Sequence, residues 1–285
     1  MTSSILITGT SSGFGRVMAE VLAARGHTIF ATMRNVDGKN RENAEEFQQL
    51  AAEKNWALEV IELDITDDES VQKAVSTVIE KAGQIDVVVN NAGIGTFGLV
   101  ESFSMEQVQQ QFDINVFGTL RVNQAVLPHL RQNGAGYIIY ISSDSGRILF
   151  PGLGIYSGSK WALEAIAETA HYEMASLGID TTLVQPGNYN TSIGENIMLP
   201  ANQEHASNYG RGGEITLKYM EYLFNGDFGD PRDVAEAVAN LVDMPAGKRP
   251  LRVPMGSDMQ EQLEEINQVS AKAHGQLLQV LGLDS

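Results

Sequence analysis

The stretch Ser4–Gly15, SILITGTSSGFG, decides the fold of this chain. An apolar run typical of a buried strand leads directly into a glycine-rich turn, and a helical pattern begins at Arg16. Glycines in such a turn let the backbone approach a pyrophosphate, and the helix N-terminus offers unpaired N–H groups with partial positive charge. The stretch therefore predicts a dinucleotide-binding turn, with contacts at Gly9, Ser11, Ser12, Gly13, Phe14 and Gly15. The alternative is an ordinary strand-to-helix turn; a P-loop is excluded because no Gly-Lys-Ser/Thr follows.

Strand and helix patterns alternate along nearly the whole chain. Apolar runs predict strands at Ser4–Thr8, Thr28–Met33, Ala57–Leu63, Ile85–Asn90, Gly136–Ile141, Thr181–Gln185 and Leu251–Val253. Such continuous runs are expected where both faces of a parallel sheet are covered. No linker-like segment or internal repeat interrupts the alternation. We therefore predict an α/β fold in a single domain over residues 1–285, with a doubly wound parallel sheet of about seven strands and helices on both faces.

Four longer segments bear on the site. Helical patterns predict a long helix over Met105–Arg131 and a second helix over Tyr156–Leu177. The segment 192–229 breaks the alternation and contains at most one short helical piece. Because long connections after the carboxyl end of a strand are usually functional, we predict that this segment is a substrate lid. A terminal helix over 258–281 is expected either to pack across a subunit or to cover the sheet.

The composition excludes several classes of function. A net charge of −17 argues against nucleic acid and anionic membranes as partners, since both bind basic surfaces. The chain has no cysteine, which excludes disulfides and a thiol nucleophile, and its five scattered histidines predict no metal site. Neither a signal peptide nor an apolar stretch of membrane-spanning length is recognisable, so we predict a cytoplasmic protein with no membrane partner.

A tyrosine and a lysine stand four residues apart in GIYSGSKWA, at Tyr156 and Lys160. On a helix this spacing places both side chains on one face. A lysine ammonium close to a phenol favours the phenolate and lowers the phenol pKa from about 10. Tyr156 would then be a general acid or base near neutral pH. Taken alone, the spacing also arises by chance, so the interpretation depends on the rest of the chain.

Six ordered motifs resemble those of the short-chain dehydrogenase/reductase family, in its short, non-extended branch. They are the Gly-x-x-x-Gly-x-Gly turn after Thr8, Asn90-Asn91-Ala92-Gly93, Asn115, Ser143 thirteen residues before Tyr156, the Tyr156/Lys160 pair, and Pro186-Gly187 with Thr191. The resemblance covers residues 1–191 strongly and the remainder only by the order of elements. One departure is Tyr189, where the family commonly has an aliphatic residue; we expect it to narrow or polarise the site beside a nicotinamide.

The resemblance implies a Rossmann fold and hydride transfer between a nicotinamide cofactor and a carbonyl or alcohol. It makes Tyr156 the acid–base, and Lys160 a ligand of the nicotinamide ribose. Ser143 would hold the substrate oxygen, and Asn115 would fix a water in a proton relay. The alternatives are that Ser143 merely ends a strand and that Asn115 caps or kinks the long helix. Further cofactor contacts are implied at Asp64, Ile65, Asn91, Ala92, Gly93, Tyr156, Lys160, Pro186, Gly187 and Thr191.

The second predicted strand ends Thr32-Met33-Arg34-Asn35, without the acid that binds the ribose 2′-hydroxyl in NAD-selective sites. Arg34 instead offers a planar, permanently charged fork that suits a 2′-phosphate. We therefore predict NADP, with NAD less favoured. The alternatives are that Arg34 is an exposed loop arginine beside Asp37 and that Asp64 is a loop carboxylate rather than an adenine contact.

Residues flanking the Tyr156/Lys160 pair are expected to line the substrate site: Ser143, Ser145, Phe150, Leu153 and Tyr189. An apolar pocket would suit an apolar ketone, aldehyde or secondary alcohol, as in the hydroxysteroid- and retinol-dehydrogenase-like members that this chain resembles. Apolar residues of the segment 192–229 would equally serve lid packing. In the family the two long helices form the dimer interface, so a homodimer or homotetramer is expected.

Two other functions remain as alternatives. A non-catalytic sensor could bind NADP without turnover, although such proteins usually lack the Tyr/Lys pair that this chain has. A sugar-nucleotide epimerase or dehydratase of the extended branch is opposed by the glycine spacing and the short C-terminal region.

Overall fold

The computed structural model describes residues 2–191, 197–202 and 208–282. Within these residues the chain forms one parallel sheet with strand order β3-β2-β1-β4-β5-β6-β7. The strands are β1 (Ser4–Ile7), β2 (Thr28–Met33), β3 (Leu58–Glu62), β4 (Val87–Asn90), β5 (Gly136–Ile141), β6 (Ile179–Pro186) and β7 (Arg252–Met255). The predicted doubly wound, seven-stranded parallel sheet is confirmed.

Helices cover both faces of the sheet, as predicted. They are α1 (Gly13–Ala24), α2 (Arg41–Lys54), α3 (Asp68–Ala82), α4 (Met105–Phe112), α5 (Thr119–Asn133), α6 (Gly154–Met174), α7 (Arg211–Asn225), α8 (Pro231–Asp243) and α9 (Gln260–Leu281). Side chains of β1 alternate between two apolar cores: Ile5 and Ile7 pack with α1 and α8, and Leu6 packs with α3, α5 and α6. No described helix combines the length and the apolar character that a bilayer span requires.

The strand order reverses direction between β1 and β4, because β2 and β3 extend to one side of β1 and β4 to β7 extend to the other. In open parallel sheets, ligands bind at such a switch point, beyond the carboxyl ends of the strands. The glycine turn after β1, the Asn90–Gly93 stretch after β4 and Ser143 after β5 all lie at this edge.

The predicted long helix over Met105–Arg131 is confirmed, but it contains an irregularity that was not predicted. A π-helical segment, Asp113–Gly118, separates α4 from α5. Two packing constraints act there. A Cβ at Gly118 would come within 2.7 Å of the Ile65 side chain, and the buried side chain of Asn115 is bonded to the backbone of Ile94. Single π-turns inside α-helices are frequent at functional sites.

Two predictions are corrected. Segment 192–229 was expected to hold at most one short helical piece, but α7 alone has 15 residues; residues 192–196 and 203–207 lie outside the described residues. Glycines at the start of α7 lower its intrinsic helix propensity, and aromatic stacking of its side chains on the rest of the chain offsets this.

The last strand is also displaced from its predicted position: β7 runs over Arg252–Met255 rather than Leu251–Val253. Pro254 is tolerated in β7 because this edge strand pairs with β6 alone among the described strands.

Candidate active site

The turn after β1 has room only for glycine at two positions. Gly9 has a φ of +72°, and a Cβ there would lie 2.8 Å from the Cα of Ala92. A Cβ on Gly15 would lie 2.5 Å from the Asn91 side-chain nitrogen and would also collide with the Gly9 carbonyl oxygen. The turn therefore packs directly against the stretch after β4.

Hydrogen bonds fix this packing. The Thr8 hydroxyl oxygen accepts the backbone N–H groups of Asn91 and Ala92, both at 3.0 Å. The side-chain amide of Asn91 donates to the carbonyl oxygens of Thr8 and Gly9, at 2.8 and 2.9 Å. Asn91 therefore holds the shape of the glycine turn, in addition to lying at the cavity that the turn forms.

A cavity of about 400 Å³ opens over the turn at the carboxyl edge of the sheet. The predicted cofactor residues among its lining are Gly9, Ser11, Ser12, Gly13, Phe14, Arg34, Asp64, Ile65, Asn91, Ala92, Gly93, Tyr156, Lys160 and Thr191. The residues fit a dinucleotide, because the glycine turn leaves a side-chain-free cradle at the N-terminus of α1. Gly15 packs behind the cradle, and Pro186 and Gly187 line the neighbouring cavity.

Arg34 is exposed at the end of β2, where it lines the outer end of this cavity. The turn that follows it is held by Glu62 of β3, whose carboxylate accepts the N–H groups of Asn35 and Val36 at 2.7 and 2.8 Å. Lys39 lines the same end of the cavity and was not identified from the sequence. Its signal was a second cation a few residues after Arg34 in a polar run.

Asp64 lies at the cavity just after β3. Its carboxylate accepts both the N–H and the hydroxyl of Thr66, at 2.9 and 2.7 Å. These bonds show that the Asp64 carboxylate stabilises its loop, which is the alternative role that the sequence left open. A contact of Asp64 with a ligand would be additional to this role.

Tyr156 and Lys160 lie on α6 and both line the cavity. The Lys160 Nζ is 5.8 Å from the centroid of the Tyr156 ring and donates to the carbonyl oxygen of Ile141 at 2.8 Å. The Tyr156 hydroxyl is hydrogen-bonded to Ser143, which follows the end of β5. The structure thus brings three of the four predicted catalytic side chains to one place.

The expectation that Lys160 lowers the pKa of Tyr156 is not met in this structure. Burial raises the pKa of Tyr156 to about 12, opposed by its hydrogen bond with Ser143 and reinforced by the nearby charge of Asp144. Burial also lowers the pKa of Lys160 to about 8, with Glu164 opposing that change. The lysine ammonium donates to a backbone carbonyl instead, and the loss of solvent is the largest influence on the pKa of the tyrosine.

Asn115 is the fourth predicted catalytic residue, and its side chain is engaged within the protein. Its Oδ1 accepts the Ile94 N–H at 2.9 Å, and its Nδ2 donates to the Ile94 carbonyl at 3.0 Å and to Ser159 at 3.1 Å. Asn115 therefore ties the loop after β4 to α6 at Ser159, which immediately precedes Lys160.

A second cavity, of about 530 Å³, adjoins the first and shares Tyr156 with it. Four of the predicted substrate residues line it: Ser143, Ser145, Leu153 and Tyr189. The fifth, Phe150, stacks on Tyr219 of α7 with ring centroids 5.5 Å apart. Tyr219, Phe224 and Phe228 also line this cavity, and sequence reasoning missed them. The aromatic pair Tyr219 and Tyr222, at helical spacing, was the available signal.

Tyr189 lines the second cavity. Its ring makes an edge contact with Phe14, at 5.6 Å between centroids, and Phe14 lines both cavities. A Cβ on Gly229 would lie 2.6 Å from the Tyr189 ring, so a glycine is needed to admit a tyrosine here. Whether this aromatic side chain narrows or polarises the site stays a prediction.

Two adjoining cavities that share one tyrosine are what hydride transfer between a dinucleotide and a second molecule requires. This arrangement places the chain among the nicotinamide-dependent oxidoreductases. A family model described as short chain dehydrogenase matches residues 3–201. The chain belongs to the short-chain dehydrogenase family, and it is an oxidoreductase of that family acting on alcohol or ketone groups of small molecules.

Several curated proteins are similar over most of their length. An uncharacterized oxidoreductase, YusZ, of Bacillus subtilis is 39% identical over 262 residues, covering 88% of each chain. The 3-ketodihydrosphingosine reductase of Bacteroides thetaiotaomicron is 35% identical, covering 84% of this chain and 82% of its own. Retinol dehydrogenase 8 of Homo sapiens is 32% identical, covering 87% and 80%.

Solved structures share the fold. A short-chain dehydrogenase from Streptomyces avermitilis superposes with a TM-score of 0.79 at 30% identity, covering all of both chains. An alcohol dehydrogenase from the archaeon Thermococcus sibiricus, solved in complex with 5-hydroxy-NADP, gives a TM-score of 0.72 at 28% identity. It covers 91% of this chain and 98% of the other.

Proposed function

We propose that this protein interconverts a ketone or aldehyde and an alcohol with NADP(H), using Tyr156 as the general acid–base. The observation that carries the proposal is the position of Tyr156, which is hydrogen-bonded to Ser143 and faces both cavities. The bound nicotinamide supplies or accepts the hydride. In reduction Tyr156 gives its hydroxyl proton to the carbonyl oxygen; in oxidation it removes the proton of the substrate hydroxyl.

The neighbours of Tyr156 have separate roles in this proposal. Ser143 holds the substrate oxygen beside the phenol and stabilises the charge that develops there. The lowered pKa of Lys160, about 8, lets it exchange a proton near neutral pH, and its ammonium at 5.8 Å from the ring favours the phenolate that forms in each cycle. Asn115 keeps the loop after β4 against α6 and is assigned to the proton relay.

The preference for NADP rests on two cations. Arg34 and Lys39 both line the outer end of the first cavity, and a 2′-phosphate there would be held by charge-assisted hydrogen bonds. The carboxylate of Glu62 on β3 is occupied by the N–H groups of Asn35 and Val36. The alcohol dehydrogenase complex with 5-hydroxy-NADP supports the same choice by analogy.

The proposed substrate is apolar, because Leu153 and the aromatic residues Tyr219, Phe224 and Phe228 line the second cavity. The relatives named for retinol and for 3-ketodihydrosphingosine act on molecules of this character. Segment 192–229, which includes α7, is proposed as the lid over this cavity.

The protein is proposed to work in the cytoplasm as a homodimer or homotetramer. Phe117 in the π-helical segment and Trp161 on α6 are 49% and 42% exposed, on the two helices expected at the interface. A solution mass equal to one chain at micromolar concentration would overturn this assembly.

The test is NADPH oxidation by the purified protein with ketones and aldehydes graded in size and polarity. NADH and the Tyr156→Phe variant are the parallel controls. We expect turnover with NADPH and an apolar carbonyl, and a loss of about 10²-fold or more in the variant, the usual contribution of a general acid. Tight NADPH binding without turnover of any compound would favour the alternative of a non-catalytic NADP sensor.

A further inference from the structure

The second cavity, which is proposed for the substrate, is lined by one carboxylate, that of Asp144. Among the residues that the structure describes, no lysine, arginine or histidine lines it, and Lys160 lines the first cavity only. The stretches 192–196 and 203–207, which lie outside the described residues, contain no lysine or arginine in their sequence. A carboxylate or phosphate on a substrate would therefore find no permanent cation here, whereas an ammonium would find a counterion.

Asp144 is buried and has no ion-pair partner in the described part of the chain. Only 7% of its surface is exposed, and it opens the 3₁₀ turn Asp144–Gly146 directly after Ser143. The ion pairs of this region, such as that of Arg147 with Glu168, are formed without it. Burial raises the pKa of Asp144, and an ammonium bound beside the carboxyl would favour its ionised form. A cationic ligand would thus supply the counterion that the protein leaves out.

Tyr219 of α7 lines the same cavity. Its hydroxyl is hydrogen-bonded to none of the residues that the structure describes. Burial raises the pKa of Tyr219, and Asp144, Tyr222 and Asp258 raise it further, because negative charge nearby disfavours the phenolate. The Tyr219 hydroxyl is therefore within electrostatic reach of two carboxyl groups, and its oxygen is able to accept an N–H of an ammonium.

The loop before α9 supports this acidic end of the cavity. The Ser257 hydroxyl donates to Asp144 at 2.8 Å, and the Tyr222 hydroxyl donates to the carboxylate of the next residue, Asp258. Tyr222 in turn stacks on Tyr219, with ring centroids 5.9 Å apart. Two carboxyl groups and two aromatic rings are thus linked at one place, and both kinds of group attract a cation.

The Asp144 carboxyl lies next to the proposed reacting centre. Its Oδ1 and the hydroxyl oxygen of Ser143 are 3.1 Å apart. Asp144 is also close enough to Tyr156 to raise the pKa of that residue, although burial is the larger cause. When a substrate oxygen lies beside Tyr156 and Ser143, only a group a few bonds away on the same molecule can reach Asp144. An amine on the carbon next to the alcohol carbon meets this requirement.

We propose that the second cavity takes an amphiphilic amino alcohol and the corresponding amino ketone, with the ammonium bound by Asp144 and Tyr219 beside the reacting carbon. This inference rests on the proposed function and adds one charged group to the apolar substrate named there. In oxidation the alcohol carbon gives a hydride to the bound nicotinamide and the hydroxyl gives its proton to Tyr156, so that a ketone forms. The ammonium keeps its protons and only orients the substrate.

The test uses three secondary alcohols that share a hexyl arm and differ only in the group on the carbon next to the alcohol carbon: an amine, a methyl or a carboxylate. Each is oxidised with NADP at neutral pH. For the wild type we expect kcat/KM to be about tenfold higher for the amine than for the methyl compound, the size of one charge-assisted hydrogen bond. The carboxylate should be the poorest substrate of the three.

The variants are compared by the ratio of kcat/KM for the amine to that for the methyl compound, so that damage common to both substrates cancels. In Asp144→Asn the preference for the amine should vanish. Tyr219→Phe, which keeps the ring and removes the hydroxyl, should lower the ratio by a smaller factor. Ser257→Ala leaves both carboxyl groups in place and is the matched control, in which the ratio should be retained.

Equal kcat/KM for the amine and the methyl compound in the wild type, or a preference that Asp144→Asn leaves unchanged, would overturn the inference and leave the proposed function intact. A second readout needs no turnover: the dissociation constants of both alcohols from the NADP-loaded protein, measured by calorimetry. If no alcohol is oxidised but the amine binds more tightly in a manner that depends on Asp144, the proposed function fails and the amine site stands. Absence of both turnover and amine preference would overturn both.

Discussion

The two cavities that meet at Tyr156 are built in different ways. The first cavity, which is proposed for the cofactor and is called the cofactor cavity below, is formed by turns at the carboxyl ends of adjacent strands. It is fixed by hydrogen bonds to the backbone, such as those from the Asn91 side chain to the glycine turn. The substrate cavity is walled by side chains of α7 that stack on residues about 70 positions earlier, as Tyr219 does on Phe150. Backbone geometry thus specifies the first cavity, whereas packing between distant segments specifies the second. We expect the first to tolerate few substitutions and the second to be adjustable.

The largest expected effect comes from a substitution in the glycine turn that forms the cofactor cavity. In Gly15→Ala the new Cβ collides with Asn91 and Gly9, and overpacking of this kind costs about 1–3 kcal/mol of stability. NADPH affinity should be lost with it, measured by fluorescence titration and thermal unfolding. Gly275→Ala on α9 is the matched control: nothing lies within 4 Å of its Cβ, so it should stabilise the helix slightly. Equal NADPH affinities of the two variants would contradict the conclusion that backbone geometry at the turn specifies the cofactor cavity.

A second prediction concerns Lys160, a buried residue that lines the first cavity. Its folded pKa of about 8 lies below its ordinary value of 10.5, so between these values the unfolded chain binds the proton that the folded chain has released. Stability from this group therefore rises with pH across that window. The free energy of unfolding of the wild type, relative to Lys160→Met, should increase by about 2 kcal/mol between pH 8 and pH 10. Parallel denaturant midpoints for the two proteins at all pH values would contradict the prediction.

A third prediction tests the role of one side chain, Arg34, in the cofactor cavity. Arg34 lies at its outer end, on a turn that Glu62 holds independently. Arg34→Ala should therefore weaken NADPH binding about tenfold through the loss of charge-assisted bonds, without disturbing the turn. NADH, which lacks the 2′-phosphate, is the internal control and should bind the variant and the wild type alike. An NADPH dissociation constant unchanged by the substitution would exclude the assignment of Arg34.

The smallest expected effect is on the substrate side. Tyr219→Ala removes the stacking on Phe150, which is worth about 1 kcal/mol, so the KM for an apolar ketone should rise several-fold. Tyr219→Phe keeps the ring and should behave as the wild type. The NADPH affinity should be the same in all three proteins. A change in NADPH affinity as large as the change in KM would show that the two cavities are not independently built.

The difference between the cavities also explains what the sequence could predict. The glycine turn, the Asn90–Gly93 stretch and the Tyr156/Lys160 pair are local patterns at fixed spacing, and the seven-strand alternation follows from periodicity. The π-helical segment was missed because it depends on Ile65 and Ile94 packing against it from distant positions. α7 was missed because glycines and aromatic residues obscure its period. The rise in the pKa of Tyr156 was missed because spacing carries no information about burial.

The last strand has a consequence for how the chain matures during its synthesis. β7 pairs with β6, and the residues just after it complete the substrate side: Gly256 packs on Tyr189, and Ser257 binds Asp144. The glycine turn, by contrast, needs only β1 and β4 with their flanking residues. The residues of this turn and of the stretch that holds it are therefore all synthesised while about the last 190 of the 285 residues are still to be made. The contacts of Gly256 and Ser257 with the second cavity, which is proposed for the substrate, are completed only near the end of translation.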